Sequence, residues 1–188
     1  MHLQNERIEV LLSGRGGQGL LLAGLVLAYA AMKDDKRVVQ SASYGPEARL
    51  GSSRSDVIIS TRPIAYPKVI SPNIVLLLSR EAAKKYAPTI RGNAIVLYDS
   101  FTIHNPPKLK GNHIYPVPFT HIAIEKFGNP IVANMIALGF ISKLTGIVSL
   151  KSLEEAIRER VKPGFVELDL MAMREGAKLA EKHEKEDP

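Results

Sequence analysis

Gly14, Gly16 and Gly19 spell G-x-G-x-x-G, with Arg15, Gly17 and Gln18 between them. Glycines at that spacing, behind a strand and ahead of a helix, let backbone N–H groups approach an anion at the helix N-terminus. Arg15 and Gln18 add a cation and an amide that a bare tight turn does not require, which points to an anion or a partner's carboxylate. A dinucleotide site also needs an acid at the end of the second strand to hold the ribose hydroxyls. The stretch in that place reads Val38-Val39-Gln40-Ser41-Ala42-Ser43 and holds none. No Lys-Ser/Thr pair follows the glycines, so the turn is not a P-loop. Two alternatives stand beside the anion reading: a free-standing nucleotide-binding Rossmann-like protein, and a turn whose glycines serve only close helix–sheet packing.

A second unusual stretch runs from Ser43 to Ser55 and gathers Tyr44, Glu47, Arg49 and Arg54 with Gly45, Pro46 and Gly51. A connection of that length between two strands is longer than usual, and such loops often carry function. Arg49 and Arg54 are suited to fork-like contacts with carboxylate or phosphate. Asn134, inside an apolar helical stretch, is expected to be a buried amide with backbone partners or an inter-subunit hydrogen bond. Catalytic groups are scarce. His2, His104, His113, His121 and His183 form no helical ligand pair and no H-E-x-x-H, and no G-x-S-x-G elbow occurs. Asp99 reads as a turn cap. No catalytic residue and no metal ligand are assigned.

The elements that must position these residues follow from pattern. Ile8–Leu12 reads as a first strand, with the turn Ser13 to Gly19 behind it and an apolar helix over Leu20–Met32. That helix is apolar nearly all round, so it is expected to be buried on most sides, part of its face by another subunit. Further strands are expected at Arg37–Ala42, Asp56–Ser60, Ile74–Leu78, Ala94–Tyr98 and, as an edge between Pro residues, His113–Val117. Arg80–Ala87 reads as a helix ended by Pro88. Asn129-Pro130 starts a helix to Leu144, a Ser152-to-Glu155 capping box opens another to Val161, and Val166–Glu181 closes the chain. Strands alternating with helices, then helices alone, predict an α/β fold with a mostly parallel sheet, helices on both faces in a Rossmann-like three-layer arrangement, and C-terminal helices. In such a sheet both unusual stretches follow strand C-termini, where ligands and partners sit. The 188 residues are expected to form a single domain, 1–188.

Composition narrows the classes. The chain has no Cys, which excludes a disulfide framework, a Cys nucleophile, a Cys-based zinc site and a Cys-ligated iron–sulfur cluster on this chain. The first residues are polar, with no apolar signal segment, and the apolar run Leu20–Met32 is too short to cross a bilayer, so a cytoplasmic protein without a membrane role is expected. Charge is uneven: residues 151–188 carry a net −2 and residues 1–150 a net +8. The basic part suits an anionic ligand or an acidic partner. Nucleic acid is not expected, because Lys and Arg are scattered, there is no Trp, and aromatics are only 6%.

Three segments together resemble a known family: Gly14-Arg15-Gly16-Gly17-Gln18-Gly19, Ser43-Tyr44-Gly45-Pro46-Glu47-Ala48-Arg49, and the run from Asn129 through Asn134 to Gly139. They look like the gamma subunit of the 2-oxoacid:ferredoxin oxidoreductases over about residues 8–176. The Ser-Tyr-Gly-Pro-Glu-Ala-Arg form is most similar to the 2-oxoglutarate branch. Leu50 departs from the family's pattern, in which a second glycine is common. The resemblance implies a complex that oxidatively decarboxylates a 2-oxoacid, forms an acyl-CoA and reduces ferredoxin. It implies alpha, beta and ferredoxin-like delta subunits as partners and external ferredoxin as acceptor; the isolated chain is left open between a stable monomer and a homo-oligomer formed through a surface meant for a partner. Thiamine diphosphate, CoA and iron–sulfur clusters are implied in the complex, none as a cofactor held by this chain, whose part is structural, on the CoA-facing side. Ligand- or partner-facing residues implied by the motifs are Gly14, Arg15, Gly16, Gly17, Gln18, Gly19, Tyr44, Gly45, Pro46, Glu47, Arg49 and Asn134.

Overall fold

A computed structural model describes residues 6–44 and 52–186. In chain order the elements are β1 (Arg7–Arg15), α1 (Leu20–Lys33), β2 (Arg37–Tyr44), β3 (Ser52–Ser60), β4 (Ile74–Leu77), α2 (Arg80–Tyr86), β5 (Ile95–Asp99), β6 (His113–Val117), α3 (Phe119–Phe127), α4 (Ala133–Thr145), α5 (Leu150–Arg160) and α6 (Val166–Glu186). The strands form one sheet in the order β2-β3-β1-β4-β5-β6. β1 pairs parallel with β4, β4 with β5, and β5 with β6, while β3 is antiparallel to both β1 and β2. Five strands therefore point one way and only β3 points back, which bears out the mostly parallel α/β fold.

Both faces of the sheet are covered. One core joins Val10, Leu12, Val57, Ile59, Leu76 and Leu97 to α1, α3, α4, α5 and α6. The other joins Leu11, Val75, Leu77 and Val96 to Ala82, Ala83 and Tyr86 of α2. β4 is buried at every position, as its unbroken apolar sequence requires of a central parallel strand. Helix α4 is almost wholly buried. It crosses α6 at backbone contact, because a Cβ on Gly139 would meet the Met173 carbonyl and one on Gly176 would meet the Ile136 carbonyl.

Several boundaries differ from the sequence reading. β1 continues to Arg15 and β3 begins at Ser52, because residues 52–60 pair in register with β1 all along its length. Both ends of the expected Ser43–Ser55 loop, residues 43–44 and 52–55, are thus strand, which leaves 45–51 between the strands. The helix expected from Asn129 begins with a 3-10 turn at Pro130–Val132, capped by Asn129 Oδ1 accepting from Ile131 N, before α4 proper. The capping box was misplaced: α5 opens at Leu150, and its cap is Ser149, whose Oγ accepts from Ser152 N. Ser152 is instead inside the helix and donates its hydroxyl to Asp34. Helix α3 carried no sequence signal strong enough to assign, since no side chain caps its start and only Gly128, at φ 65°, marks its stop.

Candidate functional site at the carboxyl edge of the sheet

From β1 the chain crosses by α1 to β2 on one side, returns through β3, and enters β4 on the other side of β1. α1 and α2 lie on opposite faces of the sheet. The carboxyl ends of β1 and β4 therefore diverge at a topological switch point, where open α/β sheets form crevices. A crevice of about 320 Å³ lies there, lined by Arg15, Gln18, Leu78, Ser79, Arg80, Glu81 and Thr102.

The glycine turn forms one wall, and its geometry explains its residues. Gly17 and Gly19 have φ of 89° and 69°, the left-handed region that favours glycine. Gly14 lies in β1, where a Cβ would collide with Gln18 Oε1 and press on Leu20 and Leu78. The space so kept lets the Gln18 side chain fold back. Its Oε1 accepts from Arg15 N at 2.6 Å and its Nε2 donates to the Leu78 carbonyl at 3.0 Å. Thr102 Oγ1 donates to the same carbonyl at 3.1 Å. Gln18 thus clips the turn to the end of β4. Asn134 fixes the other end of the turn: its Nδ2 donates to the Gly19 carbonyl at 3.0 Å, in the space a Cβ on Gly19 would fill. Asn134 is 2% exposed, and among the described residues its Oδ1 has no partner. The expected buried amide with a backbone partner is what the structure holds.

Charge converges on the same crevice. Arg15 closes β1 with its guanidinium 3.6 Å from Glu81 of α2. The Glu81 carboxyl is held below the usual range, chiefly by its own backbone N–H; burial opposes this, and the Ser79 hydroxyl and Arg15 add smaller pulls downward. Ser79 caps α2, accepting from Ala82 N at 3.1 Å. Arg54, expected as a free fork, is engaged within its own strand. Its Nε donates to Asp56 at 2.7 Å and its guanidinium lies 5.1 Å from the centre of the Tyr86 ring. Tyr44 ends β2 opposite Ser53. Gly45, Pro46, Glu47 and Arg49 lie outside the described residues. Two of the three motifs, the glycine turn and Asn134, meet at this edge, and the third leaves from it.

Sequence reasoning missed Ser79, Arg80, Glu81 and Thr102. The signal was present, since a polar tripeptide directly after a buried strand marks the carboxyl edge, but only strand order shows that β4 lies beside β1. The position where a dinucleotide site would keep its acid is occupied otherwise: Gln40 Nε2 is spent on the Leu21 carbonyl and Ser55 Oγ, both at 3.2 Å. Asp99, fully buried, caps its turn through a long bond from Phe101 N and also accepts from Thr120 N. Among the described residues no group of His, Cys, Asp and Glu could hold a metal ion, and no helix is long and apolar enough to cross a membrane.

A family model for pyruvate ferredoxin/flavodoxin oxidoreductase matches residues 9–179. The 2-oxoglutarate synthase subunit KorC of Methanocaldococcus jannaschii is 45% identical over 177 residues, covering 93% of this chain and 94% of that protein. A keto/oxoacid ferredoxin oxidoreductase gamma subunit from Geobacter sulfurreducens superposes with a TM-score of 0.83 at 38% identity, covering 94% of this chain and 97% of that one. The fold also recurs, at 20% identity and a TM-score of 0.86, in a 2-oxoglutarate:ferredoxin oxidoreductase from Magnetococcus marinus solved with 2-oxoglutarate, coenzyme A and succinyl-CoA. This chain covers 95% of its own length there and 32% of that chain.

Proposed function

The chain belongs to the pyruvate ferredoxin/flavodoxin oxidoreductase family, and from that premise we propose that it is the gamma subunit of a 2-oxoglutarate:ferredoxin oxidoreductase. The observation that carries this reading is the 45% identity to a 2-oxoglutarate synthase subunit over nearly the full length of both chains. The complex decarboxylates its 2-oxoacid oxidatively, forms an acyl-CoA and passes the electrons to ferredoxin. In this reading the whole chain acts as one domain beside alpha, beta and ferredoxin-like delta subunits in the cytoplasm, and is inactive alone.

The division of labour follows from its side chains. Thiamine diphosphate supplies carbanion stabilisation when bound, and iron–sulfur clusters carry electrons. A chain without Cys has no thiolate for a cluster. What this chain offers is the crevice. Arg15 and Arg80 present guanidinium groups, whose planar forks match phosphate geometry. Gln18 and Asn134 hold the turn rigid from either side, so the turn is already shaped for its ligand. The crevice suits the phosphates of coenzyme A, with Arg15 and Arg80 as the charged contacts on its walls and Arg49, which lies outside the described residues, as a further contact proposed from its motif.

The test is affinity capture of the tagged chain from its native cell extract, followed by mass spectrometry. A thiamine-diphosphate subunit and a Cys-rich ferredoxin-like subunit are expected in fixed ratio, with CoA-dependent oxidation of 2-oxoglutarate by the captured complex. Recovery of the chain alone would overturn the subunit reading.

A further inference from the structure

Glu81 is the one carboxylate among the residues lining the crevice, against two guanidinium groups. It stands 3.6 Å from Arg15, and the two side chains are 62% and 52% exposed. That separation is longer than the 2.7–2.9 Å of a well-made charge-assisted bond, and exposed pairs of this kind contribute little. The backbones behind the pair are not loose. Arg15 N is bonded to Gln18, and residue 15 is in register with Ser52 of β3, while Glu81 lies in the first turn of a helix capped by Ser79. The two side chains can separate by rotation alone, with no change in the turn or the helix. Among the described residues, Arg80 makes no ion pair.

Given a phosphate-bearing ligand in the crevice, as proposed above, we infer that Glu81 is an internal competitor for Arg15, occupying the guanidinium until the ligand's phosphate displaces it. A carboxylate already on Arg15 sets a threshold. A ligand carrying one carboxylate offers nothing better than Glu81 and gains little by replacing it. A phosphate or pyrophosphate brings more charge and more acceptor oxygens to the same fork, and can engage Arg80 as well. Glu81 therefore lowers affinity for every anion by one modest factor, and phosphate esters stay ahead of carboxylates through their greater charge and their second contact at Arg80. This matters in an enzyme whose other substrate is itself a carboxylate. The Glu81 carboxyl is held below its ordinary range, so the competitor stays charged at neutral pH.

The experiment uses the complete complex with this subunit as wild type, Glu81→Gln, Arg15→Gln and the double variant. KM for coenzyme A and kcat are measured for each, together with inhibition by acetate and by inorganic pyrophosphate. Glu81→Gln is expected to lower the KM for coenzyme A about two- to fivefold, with the effect on KM rather than kcat. It is also expected to sharpen inhibition by acetate and by pyrophosphate, the latter at least as much, because the same competitor is removed for both and pyrophosphate carries the greater charge. In the Arg15→Gln background the same change is expected to move KM much less. If Arg15→Gln raises KM but Glu81→Gln leaves it unchanged or raises it, the competitor role is overturned and the phosphate site stands. If Arg15→Gln leaves KM unchanged, the phosphate site itself fails and the competitor role falls with it.

Discussion

At the scale of single residues, the glycine turn is held by one amide on each side. Gly14 exists without a side chain so that Gln18 can reach both Arg15 N and the Leu78 carbonyl. Gly14→Ala is expected to expel that amide, leaving two backbone groups to find water. It should destabilise the chain by about 1–3 kcal/mol, read from the urea midpoint of the purified subunit. An unchanged midpoint would mean that the clip does not hold the turn. Asn134→Ala removes the tie to the Gly19 carbonyl without creating a clash. It is expected to raise the KM for coenzyme A in the complex severalfold more than it lowers the melting temperature of the subunit would suggest. A loss of stability with no change in KM would make Asn134 a packing residue only.

At the scale of elements, α6 contains both a close approach and an unpaid charge. Its crossing with α4 depends on Gly139 and Gly176, where any Cβ would strike the facing backbone. Gly139→Ala is expected to separate the helices and destabilise by about 3 kcal/mol or more, measurable as an earlier thermal transition. Asp169, in the first turn of α6, is 7% exposed, and burial pushes its carboxyl up to about 6. An unfolded aspartate titrates near 3.9, so between about pH 4 and 6 the folded chain holds a proton that the unfolded chain has lost. Stability must fall as pH rises through that window and stay lowered above it. Asp169→Asn is therefore expected to raise stability at pH 8 by about 2–3 kcal/mol, with the gain vanishing below about pH 4. A pH-independent gain in the urea midpoint would show that burial of the charge is not the cause.

At the scale of the whole molecule, distant parts of the chain are joined by a few polar clips. Asp34, just past α1, accepts from the Ser149 backbone and hydroxyl and from the Ser152 hydroxyl, tying α1 to the start of α5. Burial alone would push its carboxyl up, but those hydrogen bonds outweigh it and hold it below the ordinary value. The sign is opposite to that of Asp169. Its contribution is present above about pH 4 and is lost as pH falls through the lowered folded value. Asp34→Asn is expected to weaken the fold at pH 7 and to matter little near pH 2, checked by urea unfolding at both. Equal losses at both would assign its role to shape rather than charge. The same reach across the chain builds the crevice, whose walls come from the turn after β1, the start of α2 and the segment after β5.

What the sequence determined by itself is what depends on near neighbours. Hydrophobic runs located all six strands, and the G-x-G-x-x-G spacing located the turn, because glycine's freedom at positive φ is a property of the residue. Capping was legible where cap and helix adjoin, as at Asn129. It was misread at α5, where Ser152 and Glu155 match the capping pattern but Ser152 lies inside the helix and its backbone N–H is capped by Ser149 Oγ, both hydroxyls turning to Asp34. Tertiary structure decided what depends on strand order. The alternation of strands and helices could not show that β3 turns back between β1 and β2, and that reversal converts both ends of a supposed loop into ladder. Nor could it show that β4 lies beside β1, which is what brings Ser79, Arg80 and Glu81 to Arg15. A side chain's neighbours within a few residues are written in the sequence, but its partners more than 60 residues away, such as Glu81 for Arg15, are set by packing over both faces of the sheet.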